Sequence, residues 1–327
     1  MHVAGLVLSS FLLLSYAVLP VQATRRAYLN IALLVGIMLL SLGFVIPLAR
    51  QPEQCFDPVT PNSQSTSLTC AFGGAFAAFG SLFLVSWVLI RALFMHLQIC
   101  WDWLPGKASY ITANAAALVV TVVLTAATLA HSGVSFRFGG YCHVNVGSLA
   151  TYWGWLLVFG GMACILQLAT FAYCIKIYLT TNFKARVDSS QAAESLTVSS
   201  RSRAARATAM RVYEALALQW RSLAIVAVAI ATTTMVCVVF ILYDDQLTMQ
   251  AFANTEDLVP WIVCVISSQD KEQCLQFTWP IILPEKLAAA TLFVLAFAGV
   301  EAFLLLCRWD MLKAWLGLVR RSRTEKH

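Results

Sequence analysis

Residues 28–48 read YLNIALLVGIMLLSLGFVIPL, an apolar run without one charged side chain. A helix rises about 1.5 Å per residue, so a run of this length crosses the roughly 30 Å of hydrocarbon in a bilayer. Water offers such a surface no partner. In lipid, the helix satisfies its own backbone polar groups and its side chains meet hydrocarbon. Working outward from this stretch, further apolar runs lie at about 3–20, 71–93, 110–130, 152–178, 223–243 and 287–307. The expected fold is therefore all-α: a polytopic membrane protein with a seven-transmembrane helix bundle over residues 1–308.

The run 3–20 is the shortest. Its sequel Val21-Gln22-Ala23 has the small-residue form of a signal-peptide cleavage site. Met1-His2-Val3 lacks a basic n-region, however, and cleavage would leave six spans with the most basic loop outside. The run is therefore read as a span. Leu258–Ser267 is apolar too, but it is short and holds Pro260. It is expected to be packed loop or an interfacial turn.

Composition agrees with this reading. The 327 residues are 60% apolar and 12% charged, against about 25% charged in a soluble domain. The net charge of +6 is divided among loops and does not gather on one domain, which excludes nucleic acid as a partner. Of the 22 Lys and Arg, all but Arg50, Arg137, Lys271 and Lys286 fall on one side of the alternating loops. The positive-inside rule makes that side cytoplasmic. The N-terminus is then outside, the C-terminus is in the cytoplasm, and the expected location is the plasma membrane.

Residues 179–221 form the third inner loop. Its serine-rich part is expected to be disordered. Its alanine-rich part, Arg201–Arg221, is expected to be a helix that extends the sixth span inward. Arg203, Arg206 and Arg211 repeat charge along that helix. They are read either as anchors to anionic lipid or as a G-protein coupling surface. Residues 309–327 are expected to be an amphipathic helix and tail. Trp309, Leu312, Trp315, Leu316 and Val319 would face the membrane, with Arg320, Arg321 and Arg323 at the headgroups.

Three groups of residues carry a family resemblance. The first is Thr24-Arg25-Arg26-Ala27-Tyr28-Leu29-Asn30 followed by Gly36–Phe44. The second is Leu97-Gln98-Ile99-Cys100-Trp101 with Pro105-Gly106-Lys107. The third is Gly133–Gly139, Cys142-His143-Val144-Asn145 and Trp153-Gly154. Together they resemble fungal Frizzled/Smoothened-like, or family 2-like, G-protein-coupled receptors. The resemblance implies a cell-surface receptor that passes an extracellular signal to a heterotrimeric G protein, with an unknown extracellular ligand and membrane lipids as its other partners. The rhodopsin-like class fits less well: Arg91–His96 stands where an Asp-Arg-Tyr motif belongs, and Leu287–Cys307 has no proline. Frizzled proteins carry a large cysteine-rich ectodomain, and almost nothing precedes the first span here: either the ligand binds in the bundle or the true start of the chain is missing.

The resemblance also implies a Cys70–Cys142 disulfide. Cys55–Cys70 is the competing pair. Cys264 and Cys274 share the last outer loop and either close a small ring or stay reduced. Glu301 is the acidic residue well inside a span. It is read as an intramembrane switch, or else as a protonated or snorkelling side chain. Thr232, Thr233 and Thr234, with Gln167 and Thr170, are candidates for a polar core.

Two other function classes share such an architecture. A transporter would show two related halves, which are absent here. An intramembrane hydrolase would cluster His and Asp around zinc. The histidines are His2, His96, His131, His143 and His327, all at edges or in loops. No metal or other cofactor is expected, and no enzyme activity.

Overall fold

The computed structural model describes residues 1–24, 28–56, 60–137, 140–191, 223–241, 255–268, 271–274, 277 and 285–324. It is almost entirely helical. In chain order the elements are α1 (His2–Val18), α2 (Val21–Thr24), α3 (Tyr28–Arg50), α4 (Leu68–Cys100), α5 (Lys107–His131), β1 (Val134–Phe136), β2 (Cys142–Val144), a π-turn (Leu149–Trp153) and α6 (Gly154–Gln191). Then come α7 (Leu223–Val239), α8 (Thr255–Ser268), α9 (Lys271–Cys274), α10 (Glu285–Leu306) and α11 (Trp309–Thr324).

Five of these helices are long and apolar enough to cross a membrane: α3, α4, α5, α6 with its π-turn, and α10. α1 and α7 are apolar but shorter. α1 ends where Leu19 turns extended, because the ring of Pro20 clashes with a helical residue before it. α1 packs on α3 and α10, crossing α10 where Gly5 meets Gly299.

The centre of the bundle is α4, 33 residues long, which touches α3, α5, α6 and both strands. Ser67 caps its start by accepting from Cys70 N–H at 3.4 Å. Contact with α3 is closest at glycine. A Cβ on Gly43 would lie 2.6 Å from the Ala77 nitrogen, and Gly36 faces Leu84 in the same seam.

The faces of α5 are inverted relative to a water-soluble helix. Its buried residues are Ala117, Thr121, Thr125 and Thr128, a small and polar stripe turned to the bundle. Ile111 is 69% exposed and Val119 61%, and Leu118, Val122 and Val123 stand beside them. Leaving one such side chain in water forfeits roughly 1.5–3 kcal/mol, so this face belongs against lipid. α6 exposes Ile165, Leu168 and Phe171 in the same way. The chain is an integral membrane protein.

The structure amends four expectations. The fold is not purely helical, because β1 and β2 pair antiparallel. Leu258–Ser267 is helical within α8; a proline near a helix start removes a single backbone bond, too little to prevent it. α4 runs on to Cys100, so Arg91 is inside the bundle and not at its edge. Arg91 is buried and donates from Nη1 to Asn30 Oδ1 at 2.6 Å. On α11, Trp315 turns inward and donates its indole N–H to Ser15 Oγ at 2.9 Å, while Trp309 and Leu316 stay exposed. Met311 is the fully buried anchor of α11.

Candidate functional site: a shaft beneath a tethered hairpin

The hairpin is built where α5 ends. Gly133 leaves the helix at φ +69°, a left-handed conformation that glycine adopts without strain. The chain then pairs Val134 with Val144, Ser135 with His143 and Phe136 with Cys142. Three neighbours fix this ribbon. Cys142 is bonded to Cys70 at the start of α4, with Cα atoms 5.3 Å apart. The connection between α3 and α4 supplies Asn62 O to Phe136 N–H and Gln64 N–H to Val134 O, both at 3.0 Å. Asn145 donates its side-chain N–H to Ser132 O at 2.8 Å and accepts from Ser135 Oγ. Cys55 has no share in the Cys70 bond; its backbone bridges to Pro61.

The inner face of the hairpin carries His143, which is buried. Its ring lies nearly parallel to Trp153 (centroids 5.3 Å apart) and to Phe240 (5.0 Å). The π-turn brings both Tyr152 and Trp153 inward, and both are buried. Thr128 Oγ1 of α5 ties this turn by donating to Thr151 O at 3.1 Å. Burial pulls the His143 imidazole down to about 4, against a bond to Val144 O that raises it and a further lowering by Arg137. His143 is therefore neutral at physiological pH.

Beneath these rings runs a cavity of about 100 Å³. Its walls come from α3 between Leu33 and Phe44, α4 between Ala77 and Val88, α7 between Ile225 and Cys237, and α10 between Leu295 and Leu306. All four stretches are long, so the cavity is a shaft parallel to the helices. It is aliphatic over most of its length. Near the cap, Ser81 Oγ and Tyr152 OH share a hydrogen bond of 2.7 Å. Further in, Glu301, Thr232 and Thr233 line it together. Thr170 bonds instead to Leu166 O and to His96 Nδ1 at 2.9 Å. A second, wider cavity of about 620 Å³ opens at the hairpin end between α1, α3 and α10.

Of the residues singled out in the sequence, Cys70 and Cys142 are brought together above the shaft, and Glu301 is on its wall. Cys264 and Cys274 are bonded across α8 and α9, with Cα atoms 5.7 Å apart. Arg203, Arg206 and Arg211 lie outside the described residues. Sequence reasoning missed His143, Tyr152 and Phe44 as lining residues. The adjacency of His143 to Cys142 was the available signal, because a bridge that pins Cys142 pins its neighbour too.

No family model matches the chain. A curated protein from Aspergillus fumigatus, the G protein-coupled receptor gprM, is 37% identical over 320 residues, which is 96% of this chain. The chain resembles a fungal G protein-coupled receptor. It spans 64% of that relative's length. The similarity runs through the whole bundle, so the tethered hairpin, the aromatic cap and the shaft all fall within it.

Proposed function

We propose that the chain is a cell-surface receptor with seven membrane spans, which passes a signal bound at the hairpin end to a heterotrimeric G protein at the opposite end. The seven spans are the five long helices with α1 and α7. The N-terminus is outside and the C-terminus is in the cytoplasm of the plasma membrane, an orientation that the segregation of basic residues supports. One observation carries the reading. A shaft runs beneath a disulfide-tethered cap through the middle of the bundle, and a ligand held there biases the packing of α4, α7 and α10. The resemblance to gprM supports a receptor role, and the likeness of the motifs quoted above to Frizzled/Smoothened-like receptors is what supports that group.

In this reading Cys70–Cys142 holds the cap and Cys264–Cys274 closes a smaller ring. Glu301 is the intramembrane switch, and Arg203, Arg206 and Arg211 make the coupling surface. Purified chain in nanodiscs, mixed with a heterotrimeric G protein, is expected to accelerate GTP-analogue loading. Replacing Arg203, Arg206 and Arg211 by Gln is expected to cut that rate several-fold at equal protein. An unchanged rate leaves these arginines as lipid anchors, and no acceleration by the parent chain overturns the receptor reading.

A further inference from the structure

α4 packs on α6, and two rungs show that the pair runs side by side in one direction. Ser81 of α4 bonds to Tyr152 at the head of α6, and further along both helices His96 bonds to Thr170. Cys100 and Cys174 each stand one helical turn beyond the second rung. Parallel helices keep pace as they advance, so the two cysteines share one level of the bundle. Their sulfurs are near enough to interact electrostatically. Both are thiols in the structure, Cys174 buried and Cys100 half-buried. Their end of the bundle is the basic one, with Lys107 after Cys100 and Lys176 after Cys174. It is the end proposed above to face the cytoplasm.

The surroundings of Cys100 suit a reactive thiol. Thr170 Oγ1 donates its proton to Leu166 O at 2.7 Å, so toward His96 it can only accept. Nδ1 of His96 therefore carries the ring proton and donates to Thr170 Oγ1 at 2.9 Å. The same Nδ1 lies 3.6 Å from Cys100 Sγ. A donor beside sulfur favours the thiolate, the form that attacks an oxidant. Cys174, deeper in the packing, is shielded from the oxidant but not from Cys100. A bridge requires Cα atoms roughly 4.4–6.8 Å apart. Packed helices have axes about 8–10 Å apart and Cα radii of about 2.3 Å, so facing residues come within that range. Cytoplasmic thiols are kept reduced, and disulfides on that side are transient and redox-sensing. Cys70–Cys142 and Cys264–Cys274, in contrast, are already bonded.

We propose that Cys100 and Cys174 are a reversible thiol–disulfide pair, closed by hydroperoxides and reopened by cytoplasmic thiols, that fastens the inner end of α4 to α6. The Cys100 thiolate attacks one oxygen of the peroxide. An S–O bond forms, the O–O bond breaks, and the leaving hydroxide takes up the proton that Cys100 gave away. The Cys174 sulfur then attacks Cys100 Sγ. The S–S bond forms, the S–O bond breaks, and the second hydroxide leaves as water with the Cys174 proton. The two thiols together lose two electrons, and one peroxide gains them. Two molecules of an external thiol such as glutathione return two electrons by exchange and depart as their own disulfide. The pair needs no G protein. That its closure restrains signalling, by holding two helices together at the coupling end, rests on the receptor reading.

The test is peptide mapping of the full chain in nanodiscs after treatment with hydrogen peroxide, with free thiols alkylated before digestion. A peptide pair joined through Cys100 and Cys174 is expected, and reduced glutathione is expected to remove it. In Cys174→Ser the second step is blocked, so dimedone, which captures sulfenic acid, is expected to label Cys100. In Cys100→Ser no dimedone label is expected at Cys174. His96→Leu removes the N–H donor and is expected to slow bridging several-fold at neutral pH while keeping the parent elution profile. The two rates are expected to converge at alkaline pH, where the thiolate forms without that donor. Recovery of Cys100 and Cys174 as alkylated thiols after peroxide overturns the proposal. So does Cys100 joined to another cysteine or to a second chain, or a fatty acyl thioester on Cys100. No readout involves a G protein, so failure of the pair and failure of the receptor reading are told apart.

Discussion

Trp315 of α11 and Ser15 of α1 are joined by a 2.9 Å hydrogen bond from the indole N–H to the hydroxyl oxygen, across almost the whole length of the chain. Ser15 Oγ in turn donates to Phe11 O at 2.7 Å, and the Phe11 ring packs on Trp315. The last described helix is thereby fastened to the first. Interhelical hydrogen bonds in membrane proteins average ~0.6 kcal/mol and reach about 1.7. Ser15→Ala and Trp315→Phe are each expected to cost about 1 kcal/mol. The double variant is expected to cost less than the sum of the two. Thermal unfolding followed by size-exclusion fluorescence checks it; strict additivity would show that the bond contributes nothing.

Gly43 of α3 and Ala77 of α4 meet backbone to backbone in the seam between the two helices. A Cβ on Gly43 would stand 2.6 Å from the Ala77 nitrogen and 2.7 Å from its Cβ, distances at which the two helices must separate. Gly43→Ala is expected to lose about 1–3 kcal/mol despite the better helix propensity of alanine. Gly161→Ala is the control. Nothing lies within 4 Å of the added carbon there, and the variant is expected to be neutral or up to about 1 kcal/mol more stable. Comparing the two midpoints separates packing from propensity.

These contacts also show where the sequence was legible. The long apolar runs were readable because lipid demands length and lack of charge, which any single run displays. α5 was found this way, although its buried stripe of Thr121, Thr125 and Thr128 is visible only once α4 is in place. The hairpin was missed. Its strands are three residues each, too short for an alternating pattern to register, and it is held by long-range partners such as Asn62, Gln64 and Cys70. Trp315 was assigned to the wrong face because amphipathic pattern alone cannot tell lipid from a neighbouring helix. Arg91 falls in the last turn of the expected run 71–93, whereas α4 continues to Cys100. Asn30, which offsets its burial, is distant in sequence.

Cys70 and Cys142 enclose a sequence separation of 72, and Cys264 and Cys274 one of 10. Chain entropy alone assigns roughly 4 kcal/mol to the longer loop and about 3 to the shorter. Membrane insertion narrows both figures, because spans stay helical when packing is lost. Cys142→Ser is expected to lower the unfolding midpoint more than Cys274→Ser, and to weaken capping of the shaft as well. Non-reducing peptide mapping of the parent chain checks the connectivity directly. A Cys55–Cys70 peptide would contradict it.

His143 sets a pH dependence of known sign. Its imidazole is held near 4 by burial against Trp153 and Phe240, compared with about 6.5 in an unfolded chain. Between those values the unfolded chain binds the proton and the folded one does not, so stability rises with pH. The contribution is fully present above about pH 6.5 and is lost as pH falls toward 4. At 1.36 kcal/mol per unit it amounts to at most about 3 kcal/mol. Protonation would place a charge in the buried cluster of His143, Trp153 and Phe240 over the shaft, so the cap is expected to open first. His143→Phe keeps a flat ring against Trp153 and Phe240 and removes the titration. The parent unfolding midpoint is expected to fall steeply from pH 6.5 to 4.5, and that of His143→Phe to fall less by several degrees. Parallel pH profiles for the two proteins would show that His143 is not the titrating group.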